Sequence, residues 1–139
     1  MKIMAIDYGD AHTGVAISDR TGTLCGFSTG VNAHRPEALI ERLQALIAEH
    51  EVTELVLGHP VNMDGTRGPR AEKAEAFADT LSAATGLRVT LWDERRTTVD
   101  AHNILARSGK RARERKKTVD AVAAALILEG YLTYKKRNG

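Results

Sequence analysis

The sequence predicts an α/β fold, a five-stranded mixed sheet covered by helices, with the first three strands antiparallel and the two later ones parallel. Three observations carry this expectation. Short apolar runs come first, at Lys2–Ile6, Gly14–Ser18 and Thr23–Ser28, with little more than turn residues between them. Two later runs, Glu54–Gly58 and Leu87–Trp92, each follow a stretch of helical apolar spacing. A long helical pattern, from about Thr118 to Tyr134, closes the chain. Neighbouring strands joined through a helix pair in parallel, because the crossover returns the chain to the end it started from.

The elements follow in order. Lys2–Ile6 is apolar and ends in Asp7-Tyr8-Gly9-Asp10, a buried strand running into a turn. Asp19-Arg20-Thr21-Gly22 turns the second strand into the third. Pro36 stands where a first helical residue should, and Leu39, Ile40, Leu43, Leu46 and Ile47 then recur at helical spacing. After Glu54–Gly58 comes a long irregular loop, His59–Gly68, containing Pro60, Asn62, Asp64, Gly65 and Gly68. Pro69 opens a second helix with Ala74, Phe77, Ala78 and Leu81 on one stripe, and Gly86 stops it. The fifth strand ends in Asp93-Glu94. Thr97, with Asp100 three residues on, resembles a capped helix start. No repeat, linker or second core interrupts the 139 residues, which are expected to form a single domain over 1–139.

Composition narrows the class. A 42% hydrophobic content with no apolar run of membrane-spanning length predicts a globular protein away from the membrane. The chain enters its first strand without a signal-peptide pattern, and its one cysteine, Cys25, has no internal disulfide partner. A cytoplasmic location is the expectation. Net charge is only +2, but Arg107–Lys117 holds seven Lys or Arg and one Glu. That segment carries +6 and leaves −4 on the rest. Such asymmetry points to nucleic acid, the alternative being a solvated charged loop.

Three acids stand where chemistry could use them. Asp7 emerges at the carboxyl end of a central strand, where open α/β sheets place ligands. A cation there would offset the cost of burying a carboxylate. The alternative is an Asp that opens the turn through its own backbone, with Gly9 two residues on. Strand alternation sets Glu94 with Thr90 and Trp92, and Asp93 with Val89 and Leu91, so only one of the pair looks toward Asp7. Asp120 begins the stripe Ala123, Ala124, Ile127, Leu128 and Tyr131 that must face the sheet. Its alternative is a first-turn acid complementing the helix dipole. Oxygen ligands of this kind suit Mg²⁺ or Mn²⁺. The five histidines, His12, His34, His50, His59 and His102, are scattered and read mostly as surface residues. Trp92 and Tyr8 are the nearest aromatics for base stacking, so contact with the phosphate backbone should dominate.

Four segments, Ala5–Asp19, Leu55–Gly68, Leu91–Ala101 and Lys116–Leu132, resemble in order and spacing the YqgF/RuvX family. That family comprises pre-16S rRNA nucleases related to Holliday junction resolvases, of the RNase H-like fold. The resemblance implies a divalent-metal-dependent phosphodiester hydrolase with Asp7, Glu94 and Asp120 as the three acids holding Mg²⁺ or Mn²⁺, two ions in all. It implies a role in 5′-end maturation of pre-16S rRNA and a nucleic-acid partner. Arg95 and the basic residues Lys110, Arg111, Arg113 and Arg115 are expected to hold phosphates, and Asn62 to contact substrate. Where many members carry a basic pair, this chain has Asp10-Ala11-His12, leaving His12 as that hairpin's candidate cation, with a pH-dependent charge. The alternatives are a resolvase of four-way DNA junctions, a non-catalytic RNA-binding ribosome-assembly factor, and one lobe of an actin-like ATPase. A junction substrate favours a homodimer, whereas rRNA trimming is open to a monomer.

Overall fold

The computed structural model describes residues 2–9, 12–19, 21, 25–60, 64–93 and 112–138, with the helical backbone alone for 112–120 and 137–138. Its strands are β1 (Lys2–Asp7), β2 (His12–Ser18), β3 (Cys25–Asn32), β4 (Val52–His59) and β5 (Val89–Asp93). They form a five-stranded sheet in the order β3-β2-β1-β4-β5. β2 is antiparallel to both β1 and β3, while β4 is parallel to β1 and β5 parallel to β4. This is the mixed sheet that the sequence predicts. Among the described residues, α1 (Pro36–His50), α2 (Pro69–Thr85) and α3 (Ala112–Asn138) cover it.

Alternation along the strands divides the core into two layers. Met4 and Ile6 of β1 face Leu39 and Leu43 of α1 and Phe77 and Leu81 of α2. Ile3 and Ala5 face the other way, with Ala16, Val56 and Trp92, onto Ala124, Ile127, Leu128 and Tyr131 of α3. β1 is apolar on both faces because helices cover both, and this places it at the centre of the sheet. Both α1 and α2 open with proline, and α2 stops at Gly86 in the left-handed region (φ 72°), as its sequence predicts.

Two boundaries differ from the sequence expectation. β3, described over Cys25–Asn32, runs past the expected end at Ser28 because its ladder with β2, from Ser18↔Cys25 to His12↔Asn32, sets its extent, and the expected start at Thr23 lies outside the described residues. As an edge strand it fully buries only Val31, so its own sequence shows little alternation. α3 begins at Ala112 instead of Thr118, so the later half of the basic stretch is helix rather than loop. Alanine, arginine, glutamate and lysine are strong helix formers, but they give no apolar period to read. The helix start at Thr97 lies outside the described residues.

Polar contacts also tie α3 to β4. Lys135 Nζ donates to Glu54 Oε1 at 2.7 Å, and the Tyr131 hydroxyl donates to Glu54 Oε2. Burial alone would raise the Glu54 carboxyl, but these two hydrogen bonds outweigh it and hold the group below the usual carboxylate range. A folded-state pKa below the unfolded one means that the stabilisation is complete above the unfolded value. It is then lost as pH falls through the folded value. Glu54→Gln is therefore expected to destabilise the protein by about 1–2 kcal/mol at neutral pH. The gap from the parent should close as pH falls below the ordinary Glu value of 4.5. Urea midpoints of the two proteins across that range check it; a constant gap would remove Glu54 from the acid response.

Candidate active site

β1 and β4 are parallel neighbours whose connections depart in opposite directions, β1 to β2 and β4 through α2 to β5. Such a switch point opens a crevice beyond the carboxyl ends of the strands, where open α/β sheets bind ligands. Asp7 ends β1 at this crevice and is half-buried. Alternation places it with Ile3 and Ala5, on the face that α3 covers. Its ladder partner is Gly14, which pairs in turn with Gly30. Among the described residues, a Cβ added at Gly30, two strands from Asp7, would meet nothing within 4 Å.

The direction of α3 carries Asp120 toward the same corner. Tyr131 and Lys135 hold Glu54, whose ladder partner is Ile3 at the amino end of β1. Moving back along α3, Leu128, Ile127 and Ala124 pack over the sheet, and Asp120 precedes Ala124 by one turn. From Tyr131 to Asp120 the helix rises about 16 Å, and from Ile3 to Asp7 the strand rises about 13 Å. The two lengths differ by about 3 Å, roughly one strand residue. Trp92 sits on the α3 face, the parity that the sequence assigns to Glu94, whereas Val89, of Asp93's parity, packs on the opposite face. Glu94 itself lies outside the described residues.

The other predicted contacts divide in the same way. His12 opens β2 on the Asp7 face, is exposed, and donates from Nδ1 to Asn32 Oδ1 at 2.7 Å across the β2–β3 ladder. It lies at the Asp7 end because the β1–β2 connection is tight. A Cβ at Gly9 would strike the His12 carbonyl, so only glycine fits there. Arg113 and Arg115 lie in the first turns of α3, where the backbone alone is described. Asn62, Arg95, Lys110 and Arg111 lie outside the described residues. Among the described residues no three His, Cys, Asp or Glu side chains gather as a metal site.

One sequence reading changes. Trp92 is only 8% exposed, packed edge-on to Tyr131 and Tyr134 and against Gly130, so it is core and cannot stack on a base. His59 is partly buried at the end of β4, with Nε2 2.7 Å from Glu75 Oε2 of α2. Arg67 donates to the same carboxylate through Nε at 2.7 Å and through Nη2. Arg67 first, then His59, hold the Glu75 carboxyl below its usual range. This three-residue brace fastens both ends of the loop that contains Asn62 to α2. Its members come from a strand end, a loop and a helix, and no sequence pattern announces it.

The strand order, together with an acid at the carboxyl end of the central strand, defines the class: an RNase H-like fold of the RuvC resolvase type. Thermus thermophilus RuvC in complex with a Holliday junction substrate superposes with a TM-score of 0.67, covering 100% of this chain and 98% of that one at 13% identity. The Fowlpox virus resolvase, crystallised with Holliday junction DNA, gives 0.62, covering 97% and 99% at 14% identity. Within that class the chain belongs to the RuvX family, described as Holliday junction resolvase, whose profile matches residues 1–134. A relative from Halothermothrix orenii, named "Putative pre-16S rRNA nuclease", is 42% identical over 137 residues, which is 99% of this chain and 98% of the relative.

Proposed function

We propose that this chain is a divalent-metal-dependent nuclease that hydrolyses phosphodiester bonds in the 5′-end maturation of pre-16S rRNA. It would act in the cytoplasm as one RNase H-like domain over residues 1–139, as a monomer or homodimer. The observation that carries this reading is the place of Asp7. It ends the central strand in the switch-point crevice, on the face to which α3 brings Asp120, in a chain whose relatives bear a nuclease name. No helix among the described residues is long and apolar enough to cross a membrane.

The donor set fits Mg²⁺ or Mn²⁺. Asp7 offers carboxylate oxygens, and its ladder partner, Gly14, brings no side chain beside them. Glu94 and Asp120 would complete the ligands of two ions. The chemistry such ions supply when bound is activation of water and stabilisation of the leaving 3′-oxygen. The chain's own work is to hold and orient. Arg95, Lys110, Arg111, Arg113 and Arg115 bind backbone phosphates, Asn62 contacts the substrate, and His12 meets phosphate near the β1–β2 turn. The products are a 5′-phosphate and a 3′-hydroxyl.

The family description favours a second reading, a resolvase of four-way DNA junctions. Cleavage of a pre-16S 5′ leader, a four-way DNA junction and plain duplexes, compared in Mn²⁺, separates the two. The leader should be cut about tenfold faster than the others or more. Binding should weaken steeply with salt, since backbone phosphates carry it. Preferred cutting of the junction would establish the second reading. RNA binding without cleavage of any substrate would instead indicate a non-catalytic assembly factor.

A further inference from the structure

The crevice between β1 and β4 has a second side. Asp7 faces α3, but the next residue, Tyr8, falls with Met4 and Ile6 on the side of α1 and α2. There a cavity of about 300 Å³ lies beside the first turns of α2, lined by Tyr8, Gly9, Pro60, Pro69, Arg70, Lys73 and Ala74. Its floor is apolar and fixed. The Tyr8 ring stacks on Phe77 at 4.2 Å with planes 4° apart, and prolines flank it. Its rim is cationic. Arg70 and Lys73 are exposed and lie one turn apart on the same stripe of α2 as the buried Ala74. A stacking platform below two cations complements one nucleotide, with the base or sugar against Tyr8 and Pro60 and the phosphate on Arg70 and Lys73. The volume is at the small end of ligand pockets, so it admits a single nucleotide and excludes a paired helix.

We infer that this pocket is a subsite for an unpaired nucleotide of the RNA strand next to the bond cut at Asp7. The inference rests on the nuclease reading and adds to it a substrate class, RNA that is single-stranded beside the cleavage point. Consecutive residues Asp7 and Tyr8 face opposite sides of the sheet with their Cα atoms about 3.8 Å apart. A strand crossing the carboxyl edge between β1 and β4 would therefore reach the pocket directly from the acid. Paired RNA cannot enter both sides of the crevice at once.

The test is fluorescence anisotropy of the whole chain in EDTA with a labelled single-stranded RNA and with the same strand in a duplex. The double variant Arg70→Gln/Lys73→Gln is compared with Arg35→Gln/Arg42→Gln, which removes two exposed cations outside the pocket. The pocket variant should weaken single-strand binding by about tenfold or more and lower the slope of log K against log salt by about 1.4. Duplex binding should change less than about twofold. The control variant should leave both complexes near the parent, and thermal midpoints should match throughout. Equal loss for single strand and duplex, equal loss in the two variants, or no loss at all overturns the subsite. Cleavage by Asp7→Asn is read in parallel. If the parent cuts no RNA, the nuclease reading fails whatever the pocket does, and if Asp7→Asn cuts like the parent, Asp7 is not its metal ligand; if Asp7→Asn is inactive while the pocket variant binds normally, only the subsite fails.

Discussion

Asp7→Asn is expected to lower the rate of metal-dependent cleavage by at least about a hundredfold, the upper range seen when even an outer partner of a metal ligand is removed. The substitution exchanges one carboxylate oxygen for an amide nitrogen of nearly equal size. It deletes a negative charge and one ligand while keeping the volume at the end of β1. Asp7 is half-buried and lies beyond the apolar run Ile3–Ile6, and the ladders of β1 with β2 and β4 are backbone pairings that asparagine keeps. Thermal unfolding should therefore stay within about 1 kcal/mol of the parent. Initial rates on the preferred substrate, measured at saturating Mn²⁺, are the readout. A variant that cuts at the parent's rate would return Asp7 to the role of a turn residue. A variant that neither folds nor cuts would make the acid structural.

What the sequence could reveal of this arrangement follows the range over which each feature is determined. β1 was legible because both of its faces are apolar within six residues, and that property belongs to a central strand with helices on each side. The limits of α2 were legible because Pro69 and Gly86 mark them by local backbone chemistry. The far end of β3, at Asn32, is not legible because the ladder with β2 fixes it, and a ladder is invisible to an edge strand with one fully buried residue. Trp92 looked available because it neighbours acids at a strand end. Its burial depends on Gly130, tens of residues away, where an added Cβ would stand only 3.3 Å from the indole. The brace of His59, Arg67 and Glu75 and the cavity beneath Arg70 were hidden for the same reason. Only the parallel pairing of β1 with β4, and the packing of α2 across it, brings Tyr8, Pro60 and Arg70 to one place. Of the three acids, Asp7 ends β1 at the carboxyl edge of the sheet, Asp120 lies on the backbone of α3 one turn before the buried Ala124, and Glu94 lies outside the described residues.

The second large effect is expected at Leu128. Among the described residues α3 covers its face of the sheet alone, so its attachment rests on one apolar stripe and the Glu54 contacts. Leu128 is 0% exposed and Ile127 1%, both in the cluster with Ala5, Ala16 and Val56. Leu128→Ala leaves a void between helix and sheet, and cavities of this kind destabilise proteins by about 2–5 kcal/mol. Set against a total of about 5–15 kcal/mol for a domain, this is a large fraction. Leu39→Ala, at an equally buried position under α1, should produce a similar loss in urea unfolding. Activity distinguishes the two, because α3 carries Asp120 and α1 carries no predicted ligand. Below both unfolding midpoints, the Leu128 variant should therefore lose cleavage rate beyond its unfolded fraction, while the Leu39 variant tracks its own. Parallel loss of activity in the two would mean that α3 contributes packing alone, and that the metal site does not extend from Asp7 across to the helix.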